Sequence, residues 1–187
     1  SKKSAKLWDT GIPLLEKIRG VGKLDAALRE NEIRGCSGFF HRLRKGECMI
    51  YTLENDSLKV QVNSHGGELW SIQTKDGAEY LWQGDETYWK DRALNLFPYI
   101  ARLTEGKYTL DGKTYEMPIH GFVNSSDLEV EEHTAQRLVL KLTDSEDTRE
   151  MYPFAFVYWL TYELVGNKLN VTFAVENNDK KVMYFGV

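Results

Sequence analysis

Leu96-Phe97-Pro98-Tyr99-Ile100-Ala101-Arg102-Leu103, then Gly106-Lys107-Tyr108-Thr109-Leu110-Asp111-Gly112-Lys113-Thr114-Tyr115, then Pro118-Ile119-His120-Gly121-Phe122, decides how this chain is read. Asp111-Gly112 between two alternating runs predicts a hairpin closed by a two-residue turn. A hairpin folds the chain back on itself, so Arg102 before it and His120 after it are expected close in space. A guanidinium donates a fork of hydrogen bonds, an imidazole exchanges a proton near neutral pH, and aromatic rings cover C–H faces. That combination suits a neutral polyol.

The same reading extends outward from the hairpin. Met49 opens a strand pattern, Leu58-Lys59-Val60-Gln61-Val62 alternates with period two, and so does Leu128-Glu129-Val130-Glu131. Leu138–Leu142, Phe154–Leu164 and Lys168–Val175 are further strand candidates, with turns at Asp76-Gly77 and Gly166-Asn167. Many strands joined by short turns predict a mainly β chain, an antiparallel β-sandwich. One helical piece is expected at Asp85–Asp91. Trp70, Trp82, Trp89 and Trp159 are assigned to the core by default, because a sandwich needs large apolar side chains. His65 reads as a turn or surface residue and His133 as solvent-facing.

Residues 1–48 differ in character. Ile12, Leu14, Leu15, Ile18, Leu24, Ala27 and Leu28 recur at helical spacing, and Gly20-Val21-Gly22 breaks them. Two short helices are expected, over about 12–19 and 23–32, followed by an irregular Gly-containing junction. This extension carries 11 Lys+Arg against 6 Asp+Glu, whereas residues 49–187 carry 13 against 22. A basic arm on an acidic body raises nucleic acid as a partner, but no nucleic-acid motif accompanies the charge, so a solvated amphipathic face is the expectation. The two cysteines, Cys36 and Cys48, with no signal-like apolar stretch behind Ser1-Lys2-Lys3-Ser4, suggest a cytoplasmic chain with free thiols. No apolar run approaches the roughly 20 residues of a membrane-spanning helix. No Cys/His cluster has metal-ligand spacing, so no metal and no cofactor are expected.

The stretch from Asn95 to Phe122 resembles the aldose 1-epimerase (galactose mutarotase-like) family. The resemblance rests on the Phe-Pro run ending in Arg102-Leu103, the Gly-Lys-Tyr-x-x-Asp-Gly-Lys-x-Tyr hairpin and the Pro-x-His-Gly-Phe motif. It extends upstream to Leu58–Leu69 and downstream through Met151–Phe156, Asn167–Val171 and Glu176-Asn177-Asn178, covering residues 49–187. It implies the curved sandwich of the mutarotase-like fold, incomplete in this chain. It also implies an isomerase activity that interconverts the α and β anomers of a free aldose by acid–base catalysis.

Residue by residue, the resemblance makes His120 the first family histidine, a catalytic position, and Arg102 the substrate-binding arginine. Ala101 stands where many members carry Asn, which weakens any expectation of galactose specificity. Met183-Tyr184-Phe185-Gly186-Val187 looks like the strand that runs into the family's second histidine motif. That general acid, and a glutamate base further on, have no matching positions in this sequence. The expectation is therefore a chain cut inside a strand and not competent for turnover, with sugar as its small-molecule partner. Self-association through exposed sheet edges is also expected. Two alternatives stand beside it: a non-catalytic carbohydrate-binding module, and a phosphosugar-specific relative, which the negative charge of residues 49–187 disfavours.

Overall fold

The structure, a computed structural model, describes residues 49–187. The expected helices at 12–19 and 23–32 lie outside the described residues. Within them the chain is built of antiparallel sheets. β1 (Ile50–Glu54), β2 (Leu58–Asn63) and β3 (Leu69–Thr74) form a meander in that order. Its first turn is closed by the Asn55 side chain, whose oxygen accepts from the amides of Ser57 and Leu58, both at 2.9 Å. β4 (Lys107–Leu110) and β5 (Lys113–Glu116) make the expected hairpin around Asp111-Gly112. Gly112 takes a φ of 79° there, a conformation the turn needs and glycine adopts freely.

β6 (Glu129–His133), β7 (Arg137–Thr143), β8 (Phe156–Val165) and β9 (Lys168–Asn177) complete a four-stranded sheet in sequence order. β8 alternates without interruption: Phe156, Tyr158, Leu160, Tyr162 and Leu164 are buried, and the residues between them are not. These side chains share one core with Leu53, Leu58, Val60 and Val62 of the first sheet and with Phe97, Phe122 and Tyr152 from the connecting segments. At β9 the sheet ends on a strand whose Val171 and Phe173 remain partly exposed. Among the described residues no helix is long and apolar enough to cross a membrane.

Two local features depart from the sequence reading. Glu146–Met151 forms a six-residue helix, α1. Ser145 caps it: the Ser145 hydroxyl accepts from the Thr148 amide at 3.2 Å, and the Thr148 hydroxyl accepts from the Ser145 amide at 2.8 Å. Conversely, Asp85–Asp91 is a single turn and not a helix. Tyr88 and Trp89 both donate to the Asp85 carbonyl, and the Trp82 indole N–H donates to the Trp89 carbonyl at 2.8 Å, closing the segment into a loop.

That loop is anchored to β3 by Glu79. Its carboxylate accepts from the Ser71 hydroxyl and from the amides of Ile72 and Leu81, at 2.9 and 2.8 Å. Burial pushes this carboxyl upward, but the hydrogen bonds together outweigh it and hold Glu79 below the usual carboxylate range.

The described tryptophans do not fill the core. Trp82 and Trp89 are 43% and 47% exposed, Trp70 lies half-buried beneath Arg92, and the Trp159 indole donates to Glu131 at 2.9 Å. Phenylalanine and tyrosine supply the large core rings instead. An indole N–H needs a partner, and those of Trp82 and Trp159 find one in a backbone carbonyl and a carboxylate.

Candidate functional site

Phe97 and Gly121 lie side by side as a parallel bridge, and this pairing builds the site. The Phe97 amide donates to the His120 carbonyl at 3.2 Å, and the Phe97 carbonyl accepts from the Phe122 amide at 2.9 Å. Between them the two backbones approach so closely that a Cβ on Gly121 would stand 2.0 Å from the Phe97 oxygen. Gly121 also has a φ of 79°, so both space and conformation demand glycine. The Phe97-Pro98 peptide is cis. The segment leading to Arg102 thus runs beside the Pro118–Phe122 segment that carries His120.

His120 is half-buried and its Nδ1 lies 3.0 Å from the carbonyl oxygen of Ile100. A carbonyl only accepts, so Nδ1 carries the proton in this bond. The neutral ring then presents Nε2 as a free acceptor, and the protonated ring presents it as a donor. Ile100 precedes Arg102 by two residues, so one hydrogen bond orients the imidazole and ties it to the arginine's own segment. Arg102 is exposed, and among the described residues no hydrogen bond or ion pair engages its guanidinium. Ala101 beside it is exposed as well.

An aromatic group supports this surface. Phe97 contacts Phe122, Tyr152, Phe156, Tyr158 and Phe185, with ring centroids 5.2–6.0 Å apart. Tyr99 meets Tyr108 at 5.3 Å and Tyr152 at 6.1 Å. The Tyr108 hydroxyl donates to the Met151 carbonyl, and the Tyr152 hydroxyl donates to the Tyr184 carbonyl. Burial pushes both phenols well above their usual range, so they stay protonated donors. Segment 183–187 joins the same surface: the Gly186 amide donates to the Pro98 carbonyl at 2.8 Å, and Gly186 packs on the Ile100 side chain.

The other described histidines are committed elsewhere. His65 Nδ1 pairs with Asp127 at 2.7 Å, and His133 Nε2 lies 3.0 Å from the Thr52 carbonyl, its ring edge-on to Tyr51. Among the described residues no group of three or more His, Cys, Asp or Glu is disposed to hold a metal ion. Two open concavities, about 280 and 470 Å³, lie beside the hairpin, and neither is lined by Arg102 or His120.

Asn95 escaped the sequence reading. It is buried, and its amide donates to the carbonyls of Gly66 and Gly67 at 2.9 and 2.8 Å. The Tyr162 hydroxyl donates to the same Gly67 carbonyl at 2.7 Å. Asn95 therefore latches the segment entering the candidate site to the β2–β3 turn. A lone polar residue in Ala93-Leu94-Asn95-Leu96-Phe97 is the signal that marks it.

The model of the aldose 1-epimerase family matches residues 49–187. The chain belongs to the aldose 1-epimerase family. Among its relatives, the plasmid-encoded LacX protein of Lactococcus lactis is 32% identical over 149 residues, covering 73% of this chain and 48% of LacX. Among solved structures, a galactose mutarotase related enzyme from Lactobacillus acidophilus is 39% identical with a TM-score of 0.72. The match covers 73% of this chain and 46% of that one. A galactose mutarotase-like protein from Lactobacillus casei is 34% identical with a TM-score of 0.71, covering 73% and 47%. The chain spans about half the length of the curated relatives it matches. These likenesses establish the mutarotase-like antiparallel β fold expected from the sequence.

Proposed function

We propose that residues 49–187 are the aldose-contacting part of a family whose reaction opens and recloses a sugar hemiacetal. In this reading Arg102 binds sugar hydroxyls through its unengaged guanidinium. His120 meets the sugar through Nε2, as acceptor when neutral and donor when protonated. The observation that carries the reading is the bond from His120 Nδ1 to the Ile100 carbonyl, because it leaves one defined nitrogen for the substrate beside the Arg102 segment. Membership of the aldose 1-epimerase family supports a free aldose as the substrate class in this reading.

Anomer interconversion needs a proton delivered to the ring oxygen and another removed from the anomeric hydroxyl. Of the described histidines only His120 is bonded to the segment that carries Arg102, since His65 and His133 are held by Asp127 and by Thr52. One histidine and one arginine give sugar contact without an acid–base pair. The 187-residue chain is accordingly expected to bind aldoses weakly and not to speed their mutarotation.

Polarimetry of freshly dissolved α-glucose and α-galactose tests this. The expected trace with the 187-residue chain equals buffer, and His120→Ala leaves it unchanged. In a version lengthened to the span of its relatives, His120→Ala is expected to cut the rate by roughly 10²–10⁴. Robust turnover by the 187-residue chain itself, abolished by His120→Ala, would contradict the proposal.

A further inference from the structure

The loop after β3 displays four large rings, Tyr80 at 70% exposure and, grouped at 82–89, three more: Trp82 is 43% exposed, Tyr88 80% and Trp89 47%. Their exposure is built, not incidental. The Trp82 indole is held by the Trp89 carbonyl, and Tyr88 and Trp89 are held through their amides by the Asp85 carbonyl. The Thr87 amide donates to the Asp85 carboxylate at 2.9 Å. Below them Arg92 sits 4.1 Å over the Trp70 ring and hydrogen-bonds Gln83, fixing the base of the loop. The Trp82 ring, held through its own N–H, loses little freedom when something docks on it.

Trp82 and Tyr88 meet at 72° with centroids 6.3 Å apart, making an L-shaped corner. We propose that this corner is a saccharide-binding site separate from His120, with one ring as floor against the C–H face of a pyranose and the other as wall. Asp85 and Lys90, both exposed beside the rings, supply the rim that meets its hydroxyls. The three rings offer roughly 350 Å² of exposed surface, taking ~200 Å² for each full side chain. That area matches one sugar ring and falls well below the ~800 Å² per partner of a stable protein interface. The choice of sugar as the ligand class rests on the function proposed above; the corner itself rests on the loop's geometry.

A methyl glycoside tests it, because a blocked anomeric carbon cannot be epimerised and only binding is read. Methyl β-galactopyranoside and methyl β-glucopyranoside are titrated into the full chain, following tryptophan fluorescence. The expected result is a saturable change that weakens roughly 3–10-fold in Tyr88→Ala and in Trp82→Ala, as the loss of one stacked ring predicts. It persists in His120→Ala and Arg102→Ala. Tyr88 makes no side-chain hydrogen bond among the described residues, so its variant keeps the test valid should Trp82→Ala disturb the loop. Three outcomes would overturn the proposal: no saturable change, binding indifferent to both aromatic variants, or binding lost only in His120→Ala and Arg102→Ala. A concentration-dependent sedimentation shift removed by Tyr88→Ala would overturn it too, by assigning the corner to a protein partner. Loss of the corner leaves the His120 reading standing, and failure of the His120 reading leaves a sugar-binding corner standing.

Discussion

The Nδ1 of His120 lies 3.0 Å from the carbonyl oxygen of Ile100, and the residue holding that geometry has a φ of 70°. A left-handed backbone at a non-glycine residue costs ~1–2 kcal/mol. The side chain is therefore kept at a place where glycine would be more comfortable. This arrangement separates stability from function at one position.

Replacing His120 by Ala removes the hydrogen bond and keeps the backbone strain, whereas Gly removes both. His120→Gly is expected to be about 1 kcal/mol more stable than His120→Ala. Urea unfolding midpoints measure the order. Equal midpoints, or Ala above Gly, would show that the left-handed conformation is not what the folded chain adopts.

Gly121→Ala is expected to be far worse than either. Its Cβ meets the Phe97 carbonyl, a backbone atom that cannot swing away, and the Phe97–Gly121 pairing must open. A loss of roughly 3–5 kcal/mol follows from a backbone clash of this kind. Thermal unfolding followed by near-UV circular dichroism reads it through the aromatic group around Phe97. An unchanged melt would contradict the close approach.

Glu79 makes the loop anchor acid-sensitive. Its folded-state pKa lies below the unfolded value, so its contribution is present above the unfolded carboxylate pKa and lost as pH falls through the lower folded one. Glu79→Gln removes the charge and is expected to flatten the acid limb of the stability–pH curve while costing ~1–2 kcal/mol at neutral pH. Parallel acid limbs for the two proteins would show that Glu79 is not a titrating anchor.

Residues 49–187 carry their own core, so deletion of residues 1–48 is expected to leave the β-type far-UV circular dichroism intact. Loss of the folded signal on deletion would assign part of that core's cover to the extension.

Much of the fold was legible because its strands announce themselves by period. β8 alternates apolar and polar positions over ten residues, and Asp111-Gly112 has few conformations open to it other than a hairpin turn. α1 was hidden by its length: six residues make no apolar stripe, and only the Ser145-x-x-Thr148 capping pair marks it. The Asp85 segment misled in the opposite direction, since its aromatic spacing suits a helix while the Trp82–Trp89 bond closes it after one turn. Size alone assigns the tryptophans to the core, whereas the indole N–H groups of Trp82 and Trp159 draw these two rings to partners outside it. At the candidate site, the hairpin between Arg102 and His120 was legible, and with it the return of the His120 segment to the Ile100 backbone. Ile100 as the bonding partner was not, because its role belongs to a backbone carbonyl and leaves no trace in side-chain chemistry. Asn95 was overlooked because its apolar neighbours dominate the local pattern.

On the proposed function, His120 and Arg102 face the same sugar. Titration of galactose and glucose, followed by NMR through the His120 ring protons, tests it most directly. The expected result is a saturable shift of the His120 resonances, with those of His65 and His133 unmoved, and its loss in Arg102→Ala. His120 resonances that stay fixed at saturating sugar, or that shift equally with and without Arg102, would contradict it.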